Sequence, residues 1–296
     1  MKRICLYLFL VLCCSVVSFS QTATYTTPSP IITNVSATTT TASYTASSTG
    51  VAGLTVGNTV VITGLTHTAL NCPSGCTVAS VNTGTKIFTV TGTYTAVSSV
   101  VDNGYADYVF LVPSSVVNLS SLSVNAAGGG GGGGGCYNCG SDGENGTGGN
   151  NGYPSLILYN GTPLVEAKGG CAGGGGDGID GSDGAPGGAG AVGGCQGSTV
   201  VSTGNSNANS CGGAAGSGGG GDTGDDSGGS GGAGNCITGS VSVTSSALLA
   251  IRVGFMGVGG ASGGNGGNGS ISFSYSSAPN APVYSPVAGT YSSATT

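Results

Sequence analysis

Glycine returns at every third place along residues 128–269, and that period excludes most of what a polypeptide can form. The stretch opens with eight consecutive glycines, Gly128 to Gly135, and holds 54 of the chain's 63 glycines. Gly140, Gly143, Gly146, Gly149 and Gly152 make one run, and Gly178, Gly181, Gly184, Gly187, Gly190 and Gly193 lie in a second. Gly254, Gly257, Gly260, Gly263, Gly266 and Gly269 make a third. A helix repeats every 3.6 residues and a strand every 2, whereas polyproline II has three residues per turn. That helix makes no internal hydrogen bonds, so its N–H and C=O groups must find neighbouring chains or water. Glycine, lacking Cβ, permits the close approach this needs. Collagen is disfavoured, because the best run carries a single proline, Pro186. A disordered glycine linker fits composition alone, but strict phase and interleaved apolar segments favour order. The spacing predicts side-by-side rods. Gly178–Gly193 and Gly254–Gly269, at ~3.1 Å per residue, each reach roughly 50 Å, and the octaglycine tract is expected at the bundle centre.

The N-terminus bears on compartment. Lys2 and Arg3 precede an apolar run from Ile4 to Val17, and Ser18-Phe19-Ser20 supplies small residues near a cleavage point before Gln21. Residues 1–20 therefore read as a secretion signal, too short to span a membrane. Cys13 and Cys14 raise a lipoprotein reading but lack the small residues that such processing favours. After cleavage only Lys86, Lys168 and Arg252 remain as bases against eleven acidic residues. An acidic chain of this kind disfavours nucleic acid as a partner. The expected location is extracellular or on the cell surface.

Eight cysteines would remain in the mature chain: Cys72, Cys76, Cys136, Cys139, Cys171, Cys195, Cys211 and Cys236. An even count in an exported chain reads as a disulfide framework. Cys72 and Cys76 bracket Pro-Ser-Gly and are expected to pair locally, while the other six leave 15 pairings open. Cys136-Tyr-Asn-Cys139 has redox or zinc spacing, but without a β-α-β context it reads as structural. Asp177, Asp180 and Asp183 repeat every third residue and are weak calcium candidates. One turn of polyproline II separates them by ~9.3 Å, too far to share an ion, so they read as a solvated acidic face, as do Asp222, Asp225 and Asp226. His67 is the only histidine, with no partner visible nearby. No catalytic residue, cofactor site or metal site is assigned, and the chain is not expected to be an enzyme.

Taken in order, residues 21–30 read as an extended, free N-terminal segment. Residues 31–105 carry short β-branched runs at Ile31–Val35, Ala42–Ala46, Thr59–Ile62, Thr77–Val81 and Ile87–Val90, the pattern of a small all-β sandwich or barrel. Residues 106–275 interleave glycine tracts with strand text: Tyr108–Val112, Val116–Val124, Leu156–Val165, Ser240–Thr244, Leu248–Val253 and Ser270–Tyr275. Asn160-Gly161 marks a hairpin turn. Residues 276–296 form an extended tail.

Particular stretches resemble known families. Gly53–Gly64 followed by Lys86–Val90 is similar to β-modules repeated in bacterial surface and phage tail proteins. The passage from Val112-Pro113 and Val116-Val117 into Ala126-Ala127-Gly128, closing on Gly269–Tyr275, resembles the glycine-rich domains of bacterial and phage surface proteins. It is also similar to the glycine-rich region of anaplastic lymphoma kinase receptors and to phage tail-fibre adhesins. Those resemblances imply polyglycine II helices packed side by side. Ala281–Thr295 resembles the opening strand of the chitobiase C-terminal type β-module, and springtail antifreeze proteins share disulfide-linked polyglycine II bundles.

Together these readings give an all-β fold, essentially without α-helix in the mature chain. It would comprise a small β-sandwich or barrel and a β framework carrying a disulfide-linked bundle of polyglycine II helices. The expected function is that of a secreted structural or adhesive protein, a subunit of an extracellular fibre or surface assembly. Self-association would use the end segments Thr22–Pro30 and Ala281–Thr296. A discrete adhesin binding a glycan or cell-surface receptor is the alternative, and ice binding a further one.

Overall fold

Alternating β-branched residues and short turns produce strands throughout. The computed structural model describes residues 19–47, 50–127, 147–175, 206–208, 213–217, 229–260, 263–277 and 292–293. Among them the only helical element is a 3-10 turn at Thr68–Leu70. The fold is all-β, and every paired strand is antiparallel to its partner.

Six strands close a barrel. They are β2 (Ile31–Ala37), β3 (Thr41–Ala46), β4 (Thr59–Thr63), β5 (Cys72–Asn82), β6 (Ile87–Thr91) and β7 (Val97–Leu111), numbered after β1 (Phe19–Tyr25). The order β7-β2-β3-β6-β5-β4 returns to β7, which pairs with both β2 and β4. Closure removes the sheet edges that would otherwise invite pairing with other chains. It also brings backbones close at Gly104, where a Cβ would sit 2.7 Å from the Thr63 carbonyl. Tyr44 stacks on Phe88 inside, with ring centroids 5.0 Å apart, and its hydroxyl donates to the Leu70 carbonyl at 2.9 Å.

β7 is long enough to serve two units. Val61 of β4 pairs with Asp107, whereas Ile251 of β13 (Leu248–Arg252) pairs with Tyr108. Its partners thus change between Asp107 and Tyr108. Beyond that point β7 joins a sheet ordered β10-β9-β13-β7, with β9 at Ser155–Tyr159 and β10 at Thr162–Ala167. Asn160 and Gly161 have φ of 51° and 77°, as the expected tight hairpin requires. A second sheet runs β11-β12-β8-β14-β1-β15, with β8 at Asn118–Asn125, β11 at Ser206–Ala208, β12 at Cys236–Ser242, β14 at Ser270–Ser277 and β15 at Ser292–Ser293. The sheets are joined by a shared core in which Phe110 meets Phe273 and Tyr275 edge-on, at 4.9 and 5.1 Å. Burying each such ring contributes roughly 1.5–3 kcal/mol.

One expectation for the N-terminus is corrected here. The segment beginning at Thr22 is not free: β1 pairs with β14 along its length, from Phe19↔Ser277 to Tyr25↔Ile271. Ala23 and Tyr25 are fully buried. Two apolar residues at alternate places suffice, because β7 of the facing sheet covers them: the Tyr25 ring stacks on Tyr108 with centroids 6.3 Å apart.

Candidate functional site

The glycine tracts continue the sandwich strands. Six are described: tract 1 (147–153) leads towards β9, tract 2 (168–175) leaves β10, and tract 3 (213–217) lies beyond β11. Tract 4 (229–235) enters β12, tract 5 (254–260) follows β13, and tract 6 (263–269) enters β14. Their backbone bonds to any one neighbour recur every third residue. Gly229, Gly232 and Asn235 donate to the carbonyls of Gly174, Cys171 and Lys168. Gly149 and Gly152 donate to Gly173 and Gly170, while Asn150 and Tyr153 donate to Val258 and Phe255. Gly231 and Gly234 reach Gly216 and Gly213, Gly264 and Gly267 reach Ser217 and Ala214, and Gly266 and Gly269 reach Gly257 and Gly254. A strand returns to its neighbour every second residue; these tracts do not.

The bonds close a ring in the order 1-2-4-3-6-5, each tract running opposite to its neighbours. Ala126 and Ala127, at the end of β8, lie inside it, fully buried. Ala126 donates to Asn235 and accepts from Gly213; Ala127 donates to Tyr153 and accepts from Gly170. The octaglycine tract that follows them lies outside the described residues. Close approach is enforced where tracts face each other: a methyl on Gly170 would overlap the Gly232 carbonyl, and one on Gly173 the Gly229 carbonyl. Asparagines serve some remaining amides, with Asn268 accepting from Met256 and Asn265 from Gly259.

The run Gly254–Gly269 was expected to be one rod, and it is a hairpin. Gly263 donates to Gly260, after which the bonds step back to 266–257 and 269–254. A row of glycines at every third place remains in phase when the chain reverses midway between two of them. The other expected rod, Gly178–Gly193, lies outside the described residues.

A cleft of about 450 Å³ opens where tracts 1 and 5 meet the barrel. Thr33 of β2 and Asn103 of β7 form the barrel wall; Asn150, Tyr153, Phe255 and Val258 form the bundle wall. The bonds from Asn150 to Val258 and from Tyr153 to Phe255, at 2.8 and 2.9 Å, fix that wall. Asn151 lies beside them, its carboxamide oxygen held by the Ala172 amide at 2.8 Å. None of the described residues lining the cleft is charged. Sequence reading passed over these residues; the available signal was that Tyr153 and Phe255 are large side chains set among glycine triplets.

Two buried carboxylates, Asp107 and Asp102, are each held by a basic side chain near this region. Arg252 grips Asp107 with two bonds of 2.8 Å, donates to Thr63 Oγ1 at 3.0 Å, and lies 3.7 Å over the Tyr105 ring. It thereby joins β13 to β4 and β7. Burial opposes its charge, but Asp107 outweighs that and raises the guanidinium pKa. His67, for which the sequence shows no nearby partner, places Nδ1 2.8 Å from Asp102. Asp102 also accepts from the amides of Thr66 and His67, both at 2.9 Å, and from the Thr66 hydroxyl. Burial disfavours its ionised form, yet these donors prevail and hold the carboxyl well below its usual range.

Cys72 and Cys76 form the expected local disulfide. Cys171 and Cys236 are also disulfide-bonded and nearly fully buried. Cys136, Cys139, Cys195 and Cys211, together with Asp177, Asp180 and Asp183, lie outside the described residues. Among those that are described, no three His, Cys, Asp or Glu side chains gather as a metal-holding group, and no helix is long and apolar enough to cross a membrane. No protein-family model, curated protein or solved structure matches the chain.

Proposed function

We propose that this chain is an exported, non-enzymatic adhesive protein whose β body holds out a disulfide-linked bundle of polyglycine II helices. The observation that supports it is the threefold recurrence of hydrogen bonds around the ring of tracts, the spacing that three-residue turns dictate. Among the described residues no tract glycine has positive φ, in keeping with that helix. Such a bundle has little apolar core and few charges, so it suits a presented surface better than a reaction vessel. The discrete-adhesin form is favoured over a polymer joined by its N-terminus, because β1 is consumed within its own sandwich. The test is N-terminal sequencing and fractionation of producing cells, with attachment of the purified protein to target cells measured alongside. Mature protein beginning at Gln21, outside the cytoplasm and able to attach, is the expected result. Uncleaved cytosolic protein would overturn the reading.

A fibre subunit is the second reading, and one observation favours it. Ser292–Ser293 pairs with Gln21 and Thr22 on the edge of β1 opposite β14, a place where the tail of another copy could add as a strand. Negative-stain microscopy of chains with and without residues 278–296 separates the two: tail-dependent filaments support the fibre, and single particles from both chains exclude it.

A further inference from the structure

We infer that the cleft between the barrel and tracts 1 and 5 binds a neutral oligosaccharide. The inference rests on the adhesive reading above and gives it a ligand class. Saccharides present hydroxyls at their edges and C–H groups on their ring faces. They are matched by planar carboxamides, which offer donor and acceptor together, and by aromatic faces. The cleft supplies both. Asn103 projects from β7 and Asn150 from tract 1, both exposed, while Tyr153 and Phe255 are half-buried between them. Its volume of about 450 Å³ lies in the range of small-ligand sites.

The wall is pre-organised. Its backbones are fixed by the Asn150–Val258 and Tyr153–Phe255 bonds, so binding orders few further groups, which lowers its entropic cost. These two levels are separated by three residues, or ~9.3 Å in polyproline II geometry. Recognition can therefore extend beyond one sugar ring. Charge selects within the class: an acidic saccharide would lose hydration against a wall with no cation among its described residues, an uncompensated cost.

The test uses the full secreted chain and saturation-transfer NMR with four named probes. N-acetylchitotriose, cellotriose and mannotriose are neutral, and a galacturonic acid trimer is the acidic control. At least one neutral probe is expected to receive saturation, to shift Tyr153 or Phe255 resonances, and to exceed the acidic trimer. The double variant Asn103→Ala/Asn150→Ala alters two exposed side chains, and about a tenfold loss of affinity is expected from the missing hydrogen bonds. Phe255→Ala gives a second, independent reduction. No saturation of any neutral probe, or equal binding by the double variant, would overturn the assignment. If the double variant loses the probe but attaches to cells as the parent does, the cleft is not the adhesive site while the adhesive reading survives. If the parent binds a neutral probe and attaches to nothing, the saccharide site stands and the adhesive reading fails.

Discussion

The amide of Gly232 donates to the carbonyl of Cys171 at 2.8 Å, and the residues three places to either side repeat the bond to Gly174 and Lys168. Room for that repeat depends on glycine at Gly173, where a Cβ would overlap Gly229. Gly148 differs, since a Cβ there would lie 3.5 Å from its nearest neighbour, the Gly173 carbonyl. Gly173→Ala should therefore destabilise the bundle by about 1–3 kcal/mol or more, and Gly148→Ala by no more than about 0.5 kcal/mol. Amide exchange at Gly229–Gly234 across a urea series measures both. Equal losses would contradict the close packing.

Arg252 is the polar clamp between barrel and sandwich. Arg252→Ala leaves Asp107 buried and unpaired, which costs about 3–5 kcal/mol. The double variant Arg252→Met/Asp107→Leu removes both charges and should recover much of that loss. Urea melts of the three chains decide the matter, and a double variant no better than Arg252→Ala would show that the pair is not the source.

Acid should loosen the turn that holds His67. The Asp102 carboxyl is depressed in the folded chain relative to its ordinary value of 3.8. Its contribution is therefore present above about pH 4 and is lost as pH falls below that towards the folded value. Asp102→Asn should lower stability at pH 7 and flatten its dependence between about pH 5 and 2. Thermal melts across that range provide the measurement; an unchanged slope in the variant would refute the assignment.

Reduction should melt the glycine tracts before the barrel. Cys171 sits in tract 2 and Cys236 directly follows tract 4, and both are disulfide-bonded. Little apolar burial is available around them to offset backbone ordering, which costs about 1–2 kcal/mol per residue. Exchange protection at Gly170 and Gly232 should be lost in reductant while Tyr44 and Phe88 keep theirs. Survival of both sets would mean that hydrogen bonding alone maintains the ring.

Much of the strand framework was legible in the chain text, and the reasons are local. β3 alternates Ala42, Tyr44 and Ala46 inward, and Asn160-Gly161 can hardly be read as anything but a turn. β1 was read as a loose end because Ser, Gln and Thr dominate it, and its partner β14 lies some 250 residues away. The His67–Asp102 pair was hidden for a related reason: 35 residues separate them, and only barrel closure brings them together. The cleft was illegible because its walls come from β2, β7 and two tracts that no local pattern relates. For the tracts themselves, the period gave the kind of contact but not which tract lies beside which.

The hairpin of tracts 5 and 6 shows what a pattern of one residue in three leaves undetermined. Such a pattern reads the same in both directions, so it carries no polarity. Length then becomes adjustable in fixed increments. Adding one triplet to each arm would move the turn outward by one further bonding repeat and leave the 266–257 and 269–254 bonds as they are. Adding one or two residues would rotate side chains into the rows now kept clear. The remote end of the bundle can therefore diversify in reach by whole triplets while the sandwich beneath it stays unchanged.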